Sequence, residues 1–194
     1  MAGGEDGSRS QTFKSRPLGF MKIRDATKSD AIQIDELHAA SWRAAYRGLL
    51  SDAYLDGDLV GERIKVWTDR LTNPTPKQRV LIADVDQKAA GFVCAYGSHD
   101  PELGTLLDNL HVDQMFQRQG IGARLMGEIA SWCYNELPGE GLFLWVLEPN
   151  ILARNFYERR GAVLVARDNW FSPDGGSIPS LCYAWKSLER LLIR

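Results

Sequence analysis

Leu106-Leu107-Asp108-Asn109-Leu110-His111-Val112, the polar run Asp113 to Gln119, and Gly120-Ile121-Gly122-Ala123 together decide how this chain is read. The first segment is apolar and of strand length. After the glycines, Ile121, Leu125, Ile129 and Trp132 recur at three- and four-residue spacing. Arg124, Glu128, Ser131 and Asn135 share the opposite side, so the pattern is that of an amphipathic helix. The stretch is therefore a strand, a polar glycine turn and a helix.

Such a turn has chemical consequences. The first amides of a helix lack intrahelical partners, and the helix dipole places partial positive charge there. An anion can rest on those amides where no Cβ blocks it. Gly120 and Gly122 remove two Cβ atoms, Arg118 adds a cation, and Gln117 and Gln119 add donors. The reading is a phosphate cradle made mostly of backbone. It is not a P-loop, because no Gly-Lys-Ser/Thr closes it, and position 125 is Leu where the dinucleotide pattern needs a third glycine. The bland alternative is a pair of glycines that ease helix packing against a sheet.

Working outward, Met21 to Ala26 reads as a strand, and Thr27-x-x-Asp30 as a capping box with Asp replacing Glu. A helix is expected from about residue 29 to 46, with Ile34, Leu37, Ser41 and Ala44/Ala45 on one face and Gly48 as its stop. A second runs from about 52 to 71, until Pro74 and Pro76 forbid continuation. Strands follow over 79–85 and 89–96, with Gly91 marking a candidate bulge, then a loop over 98–104. Beyond the central helix, Leu142 to Leu147 reads as a strand buried on both faces. A helix over 151–160 has Asn150 as its N-cap and Gly161 past its end. Strands over 163–171 and 181–185 close the order β-α-α-β-β-β-α-β-α-β-β.

Gln117-Arg118-Gln119-Gly120-Ile121-Gly122 resembles the Q/R-x-x-G-x-G/A motif of the GCN5-related N-acetyltransferase (GNAT) family. Asn150-x-x-Ala153-x-x-Phe156-Tyr157-x-x-x-Gly161 is similar to a second signature of that family. Two separate motifs thus point to one fold. The resemblance covers about residues 21–188. It implies an α/β (α+β) acetyltransferase fold: a mixed, mostly antiparallel sheet of six to seven strands with helices on both faces. It also implies that the fourth and fifth strands splay, and that acetyl-CoA enters the gap. The cofactor would then lie against Leu110, His111 and Val112, against Gln117, Arg118, Gln119, Gly120, Ile121, Gly122 and Ala123, and against Asn150, Phe156 and Tyr157. Tyr157 would stand beside the thioester sulfur as the acid that protonates the leaving thiolate. Its other reading is a helix tyrosine packed in the core.

The base is less plain. Aligned on Val112, the family's strand glutamate falls on Leu106, which takes no proton. Asp108, two residues on, faces the same side of a regular strand and is the candidate chosen. His111 is the second, since histidine titrates near neutrality, but strict alternation turns it to the opposite face. Both also read simply as polar groups at a sheet irregularity. The acceptor pocket is expected from the first two helices, the loop 97–104 and the region 168–180. Trp42, Tyr46, Trp67, Trp170 and Phe171 are available to line it and read equally as core residues, while Asp100, Glu102, Asp168 and Asp174 read either as a draw for a cationic amine or as solvated loop charge.

Bulk properties frame these readings. The 194 residues suit one domain, with residues 1–20 as a flexible extension and 189–194 as a short tail. A hydrophobic content of 44% supplies a core without disulfides, and the net charge of −2 argues against nucleic acid. Cys94, Cys133 and Cys182 lack metal or disulfide spacing. No apolar run reaches membrane-spanning length, so no membrane partner and a cytoplasmic protein are expected, with a homodimer compatible. The expected activity is acetyl transfer from acetyl-CoA to the primary amine of a small molecule or peptide by direct attack. The rival is a non-catalytic acyl-CoA-binding sensor.

Overall fold

The computed structural model describes residues 20–192. The expected extension falls almost wholly in 1–19, outside the described residues. Seven strands form one sheet: β1 (Met21–Asp25), β2 (Gln78–Val85), β3 (Lys88–Asp100), β4 (Gly104–Val112), β5 (Leu142–Leu147), β6 (Val163–Phe171) and β7 (Ser177–Trp185). Their spatial order is β1-β2-β3-β4-β5-β7-β6, and only β4 and β5 run parallel. Helices α1 (Ala31–Ala45), α2 (Asp52–Leu55) and α3 (Leu59–Thr72) precede β2. α4 (Ile121–Glu136) links β4 to β5, α5 (Ile151–Glu158) follows β5, and the turn α6 (Glu189–Leu192) follows β7. This is the expected acetyltransferase architecture.

Two cores sandwich the sheet. On one face α4 contributes Ile121, Leu125, Met126 and Ile129, and α5 contributes Tyr157, against Leu107, Leu144 and Val146. On the other face Ile34, Leu37 and Trp67 from α1 and α3 cover Val80, Ile82, Phe92 and Cys94. All three cysteines are buried and unpaired. At the entry to α1, Asp30 accepts from the Thr27 amide and from both terminal nitrogens of Arg24. That pairing with Arg24 holds the Asp30 carboxyl down at about 2.

Several boundaries differ from the sequence reading for local reasons. The long second helix breaks at Asp56-Gly57-Asp58. Ser51 caps α2 by accepting from the Tyr54 amide, and Asp58 caps α3 by accepting from Gly61. β3 runs on to Asp100, so the expected loop 98–104 shrinks to a tight turn. There the Asp100 carboxylate accepts from the Glu102 and Leu103 amides. Within the short tail expected at 189–194, residues Glu189–Leu192 form the helical turn α6, with Leu191 buried beside α4. The buried face of α1 runs through Ile34, Asp35, His38 and Trp42, while Ala44 and Ala45 are exposed.

The feature that shapes the site is a parting of strands. β4 and β5 pair only at Thr105–Leu142 and Leu106–Phe143. The apex is a close glycine joint. A Cβ on Gly104, which has φ of +86°, would meet the backbone of Gly141 at 2.7 Å, and one on Gly141 would meet Trp185 O at 2.8 Å. Beyond the apex the strands diverge.

Irregularities in β3 and β4 set the register at the parting. Cys94 pairs with Asn109 but Ala95 pairs with Leu107, so Asp108 is the extra residue of a bulge. On β3, Ala83 pairs with Gly91 and Asp84 with Ala89, which leaves Ala90 as a second bulge next to Gly91. Gly91 lets β3 approach β4: an added Cβ would lie 2.8 Å from His111 O. Gly91→Ala should therefore push on a backbone atom and cost about 1–3 kcal/mol, read as a lower urea midpoint with an unchanged slope.

Candidate active site

The loop after β4 is braced by its own side chains. The Asp113 carboxylate accepts from the Met115 amide, Gln117 Nε2 donates to Val112 O at 3.1 Å, and Gln119 Nε2 donates to Met115 O at 3.1 Å. The two glutamine amides expected to face a phosphate thus first hold the turn. Gly120 closes it with φ of +85°, a left-handed conformation that glycine adopts without a Cβ penalty. A Cβ there would point into open space, whereas one on Gly122 would make ordinary contact with Phe156 at 3.4 Å. Only Gly120 is required by the backbone itself. The amides of Gln119 to Ala123 find no acceptor among the described residues. They surround the start of a 16-residue helix, with exposed Arg118 beside them. Donor chemistry and open space both fit a pyrophosphate.

From this cradle a cleft of about 2290 Å³ runs through the strand parting to the α1–α3 face. On β4 the Asp113 amide bonds Ala90 O of β3. Alternation then directs the amides of Leu110 and Val112 away from β3, toward the gap. Across the gap stands α5. Asn150 caps it, its Oδ1 accepting from the Ala153 amide at 3.2 Å, which leaves the side-chain NH₂ to donate elsewhere. Phe156 packs near Gly122. Tyr157 is 9% exposed and lies edge-on to Phe156 and Trp185. Burial, with Tyr46 as a lesser cause, pushes its phenol above the usual tyrosine range. The phenol therefore keeps its proton at neutral pH.

The far end of the cleft corrects the expectation for β4. The bulge puts Asp108 and His111 on the same side, facing α1 and α3, and the assumed opposition of the two does not hold. Asp108 is exposed at the cleft and ion-paired, with Arg70 Nη1 on α3 donating to its Oδ2 at 2.8 Å and to Asn109 Oδ1 at 3.0 Å. His111 is half-buried, its ring 4.7 Å from that of His38 and 5.2 Å from Phe92. Burial lowers its pKa to about 4, so the imidazole is neutral with a free lone pair near pH 7. His38 is fixed as well. Trp67 Nε1, which can only donate, bonds His38 Nδ1 at 3.0 Å, so the neutral ring carries its proton on Nε2. Burial is the main cause that lowers the His38 pKa, to about 2.

Trp42, Tyr46, Trp170 and Phe171 line this end of the cleft as expected, and Trp42, Tyr46 and Trp170 stand within 5.3–6.3 Å of one another. Trp67 does not; it is fully buried beneath Phe92. Of the four acids proposed for the acceptor, only Asp168 reaches the cleft. Asp100 caps its own turn, Glu102 lies elsewhere, and Asp174 accepts from the Ser51 amide and the Ser172 hydroxyl. The loop 97–104 contributes no wall. Sequence reasoning missed His38, Arg63 and Arg70. The signal for His38 was its spacing four residues before Trp42 on the same helix.

Comparison with known proteins agrees with this geometry. Residues 33–162 match the Acetyltransferase (GNAT) family, and the chain belongs to it. Members of that family are acetyltransferases that draw on acetyl-CoA. A probable N-acetyltransferase of Mycobacterium tuberculosis is 28% identical over 170 residues, covering 84% of this chain and 92% of its own. An uncharacterized N-acetyltransferase of Archaeoglobus fulgidus is 30% identical over 141 residues, covering 71% and 89%. Among solved structures, the PaiA N-acetyltransferase of Thermoplasma acidophilum in complex with coenzyme A superposes with a TM-score of 0.63. It is 17% identical, covers 83% of this chain and 98% of its own, and shares the fold.

The two neutral histidines also carry a signature in stability. In the unfolded chain each takes up a proton near pH 6.5, whereas the folded chain does not until about pH 4 for His111 and about pH 2 for His38. Between those limits the unfolded state binds more protons, so stability rises with pH and is lost as pH falls below about 6.5. The buried Asp35, raised to about 6 by desolvation, acts in the opposite sense between pH 3.8 and 6. His38→Gln should flatten the dependence over pH 5–6.5 by up to about 1.4 kcal/mol per pH unit, measured by denaturant titration at each pH.

Proposed function

We propose that the protein is an N-acetyltransferase that moves the acetyl group of acetyl-CoA directly onto a primary amine held in the same cleft. The observation that carries this reading is one continuous cleft. It joins unpaired amides at a left-handed glycine, through the strand parting, to a buried protonated phenol and a neutral imidazole. Acetyl-CoA supplies a thioester, whose acyl carbon is open to attack by a neutral amine. Gly120, the amides of Gln119 to Ala123 and Arg118 receive the pyrophosphate. Leu110, His111 and Val112 flank the pantetheine arm with Asn150 and Phe156. The amides of Leu110 and Val112 face the place where the acyl oxygen gathers charge, a pre-set donor arrangement that costs no reorganisation during reaction. Tyr157 holds a proton where the thiolate leaves.

Thiol release from acetyl-CoA with a panel of primary amines tests the reading directly. Turnover is expected. Binding of coenzyme A without turnover of any amine would instead make the chain a non-catalytic acyl-CoA sensor. In the active protein, Tyr157→Phe should lower kcat by about 10²–10⁴-fold while coenzyme A affinity stays nearly constant. An unchanged kcat, with the chemical step shown to limit the rate, would return Tyr157 to a packing role.

The bulge moves our assignment of the base from Asp108 to His111. Asp108 has its Oδ2 committed at 2.8 Å to Arg70, which itself lies against Trp67 and Tyr96. His111 offers an uncommitted nitrogen to the cleft, and one ordered water can relay the proton to it from the attacking nitrogen. A base with a pKa of about 4 stays unprotonated across the working range, so His111 itself adds no acid limb to kcat/KM near neutrality. Accordingly, His111→Gln should reduce kcat/KM by about 10²-fold or more at every pH from 6 to 9. Asp108→Asn should leave the pH profile in shape and act mainly through loosening of α3. A silent His111→Gln beside a damaged Asp108→Asn would restore the carboxylate as base.

A further inference from the structure

Resting on the acetyl-transfer reading, we infer that the acceptor is an amine that also bears a carboxylate, and that Arg63 on α3 receives that carboxylate against the ring of Trp42. Arg63 lines the cleft at the end opposite the phosphate cradle, in the same wall as Trp42, Arg70 and His111. Its guanidinium lies over the Trp42 ring, 4.7 Å from the centroid. The side chain is only 17% exposed, its buried Nε has no hydrogen-bond partner among the described residues, and the polar groups around it are the Tyr54 hydroxyl and the carboxylate of Asp35. The nearest carboxylate oxygen recorded for it belongs to Glu62, its own chain neighbour, at 3.8 Å and largely in solvent.

The other arginines of that wall are committed. Arg70 holds Asp108 and Asn109, and Arg43 donates to Leu55 O at 2.8 Å. Arg63 is thus a shielded cation with an unpaired Nε and no carboxylate closer than 3.8 Å, an arrangement that desolvation makes costly until a closer counter-charge arrives. Its stacking on the indole matters too. A guanidinium whose carbon stands over a ring face can keep an N–H edge free, and such an edge fits a planar carboxylate with two parallel hydrogen bonds. Asp35 lies buried on the facing helix but does not fill the role, since neither of its oxygens has a partner.

The surrounding charge selects among anions. Asp168 and Asp108 line the same cleft, and Asp35 sits behind it. With Asp108 already balanced by Arg70, one guanidinium facing Asp168 and Asp35 accommodates a monoanion better than a dianion such as a phosphate monoester. The same acids tolerate an ammonium near by. The pattern suits a zwitterion: a free amino acid or a compound like one, its carboxylate on Arg63 and its amine toward the strand parting. The aromatic wall of Trp42, Tyr46 and Trp170 is left for its apolar part.

The test compares each of several aromatic and aliphatic amino acids with its own methylamide, by thiol release and by calorimetric binding of the matching N-acetyl products in the presence of coenzyme A. The wild-type protein should favour the carboxylate over the methylamide by about tenfold or more in kcat/KM, and likewise in product affinity. Arg63→Gln should collapse that ratio toward one, and Arg63→Lys should keep part of it. Equal or better use of the methylamides would overturn the inference, as would an Arg63→Gln protein, folded by circular dichroism, that loses both partners of each pair equally. If no amine at all is acetylated, the transfer reading fails instead. The N-acetyl products then still report on Arg63, and their failure to bind, or to show any preference, removes the carboxylate subsite as well.

Discussion

Everything functional in this chain depends on two strands that stop pairing. β4 and β5 share only two residue pairs, at Thr105–Leu142 and Leu106–Phe143, although β4 runs on for six more residues and β5 for four. Beyond the parting, alternate residues of each strand present backbone groups that a neighbouring strand would otherwise satisfy. An interior sheet with such an opening must be completed by something polar on its edges and apolar in its body. The left-handed Gly120, the capped α5 and the buried Tyr157 all sit around that opening. The sheet itself therefore creates the demand that the surrounding residues refine.

The glycine turn and the Asn150–Gly161 stretch were legible because their chemistry is local. A glycine turn opening α4 at Gly120 and a side-chain cap at Asn150 are decided within a few residues, and the sequence shows both, although the left-handed φ of Gly120 emerges only in the structure. The strand order followed from elements whose apolar runs are continuous, as in Leu142–Leu147. The face of Asp108 was not legible. A bulge has no compositional mark here, yet it shifts every later residue by one. That single displacement brings Asp108 and His111 to one side and ties Asp108 to an arginine thirty-eight positions earlier.

The α1–α3 wall shows a second limit of pattern reading. Asp35 and His38 interrupt the apolar spacing of α1, so periodicity alone slides the buried face toward Ala44 and Ala45. The structure buries both polar residues, and the indole of Trp67 makes this tolerable for His38 by spending its one donor on Nδ1. For Arg63 the helix pattern is silent, because a stacked arginine and a solvated one look alike in sequence. Buried polar groups without partners are rare in folded proteins. Three of them, on Asp35, His38 and Arg63, gather around one tryptophan-lined wall.

The glycine joint at the apex gives the sheet the mechanics of a pair of tongs. β5 hangs on β7 through six residue pairs and on β4 through two, so the sheet is two plates, β1 to β4 and β5-β7-β6, meeting at Gly104 and Gly141. Each plate is stiff and the joint is short. A small change of angle at that vertex is multiplied along the arms. The width of the parting is thus governed from a joint, Gly104 and Gly141, that does not line the cleft.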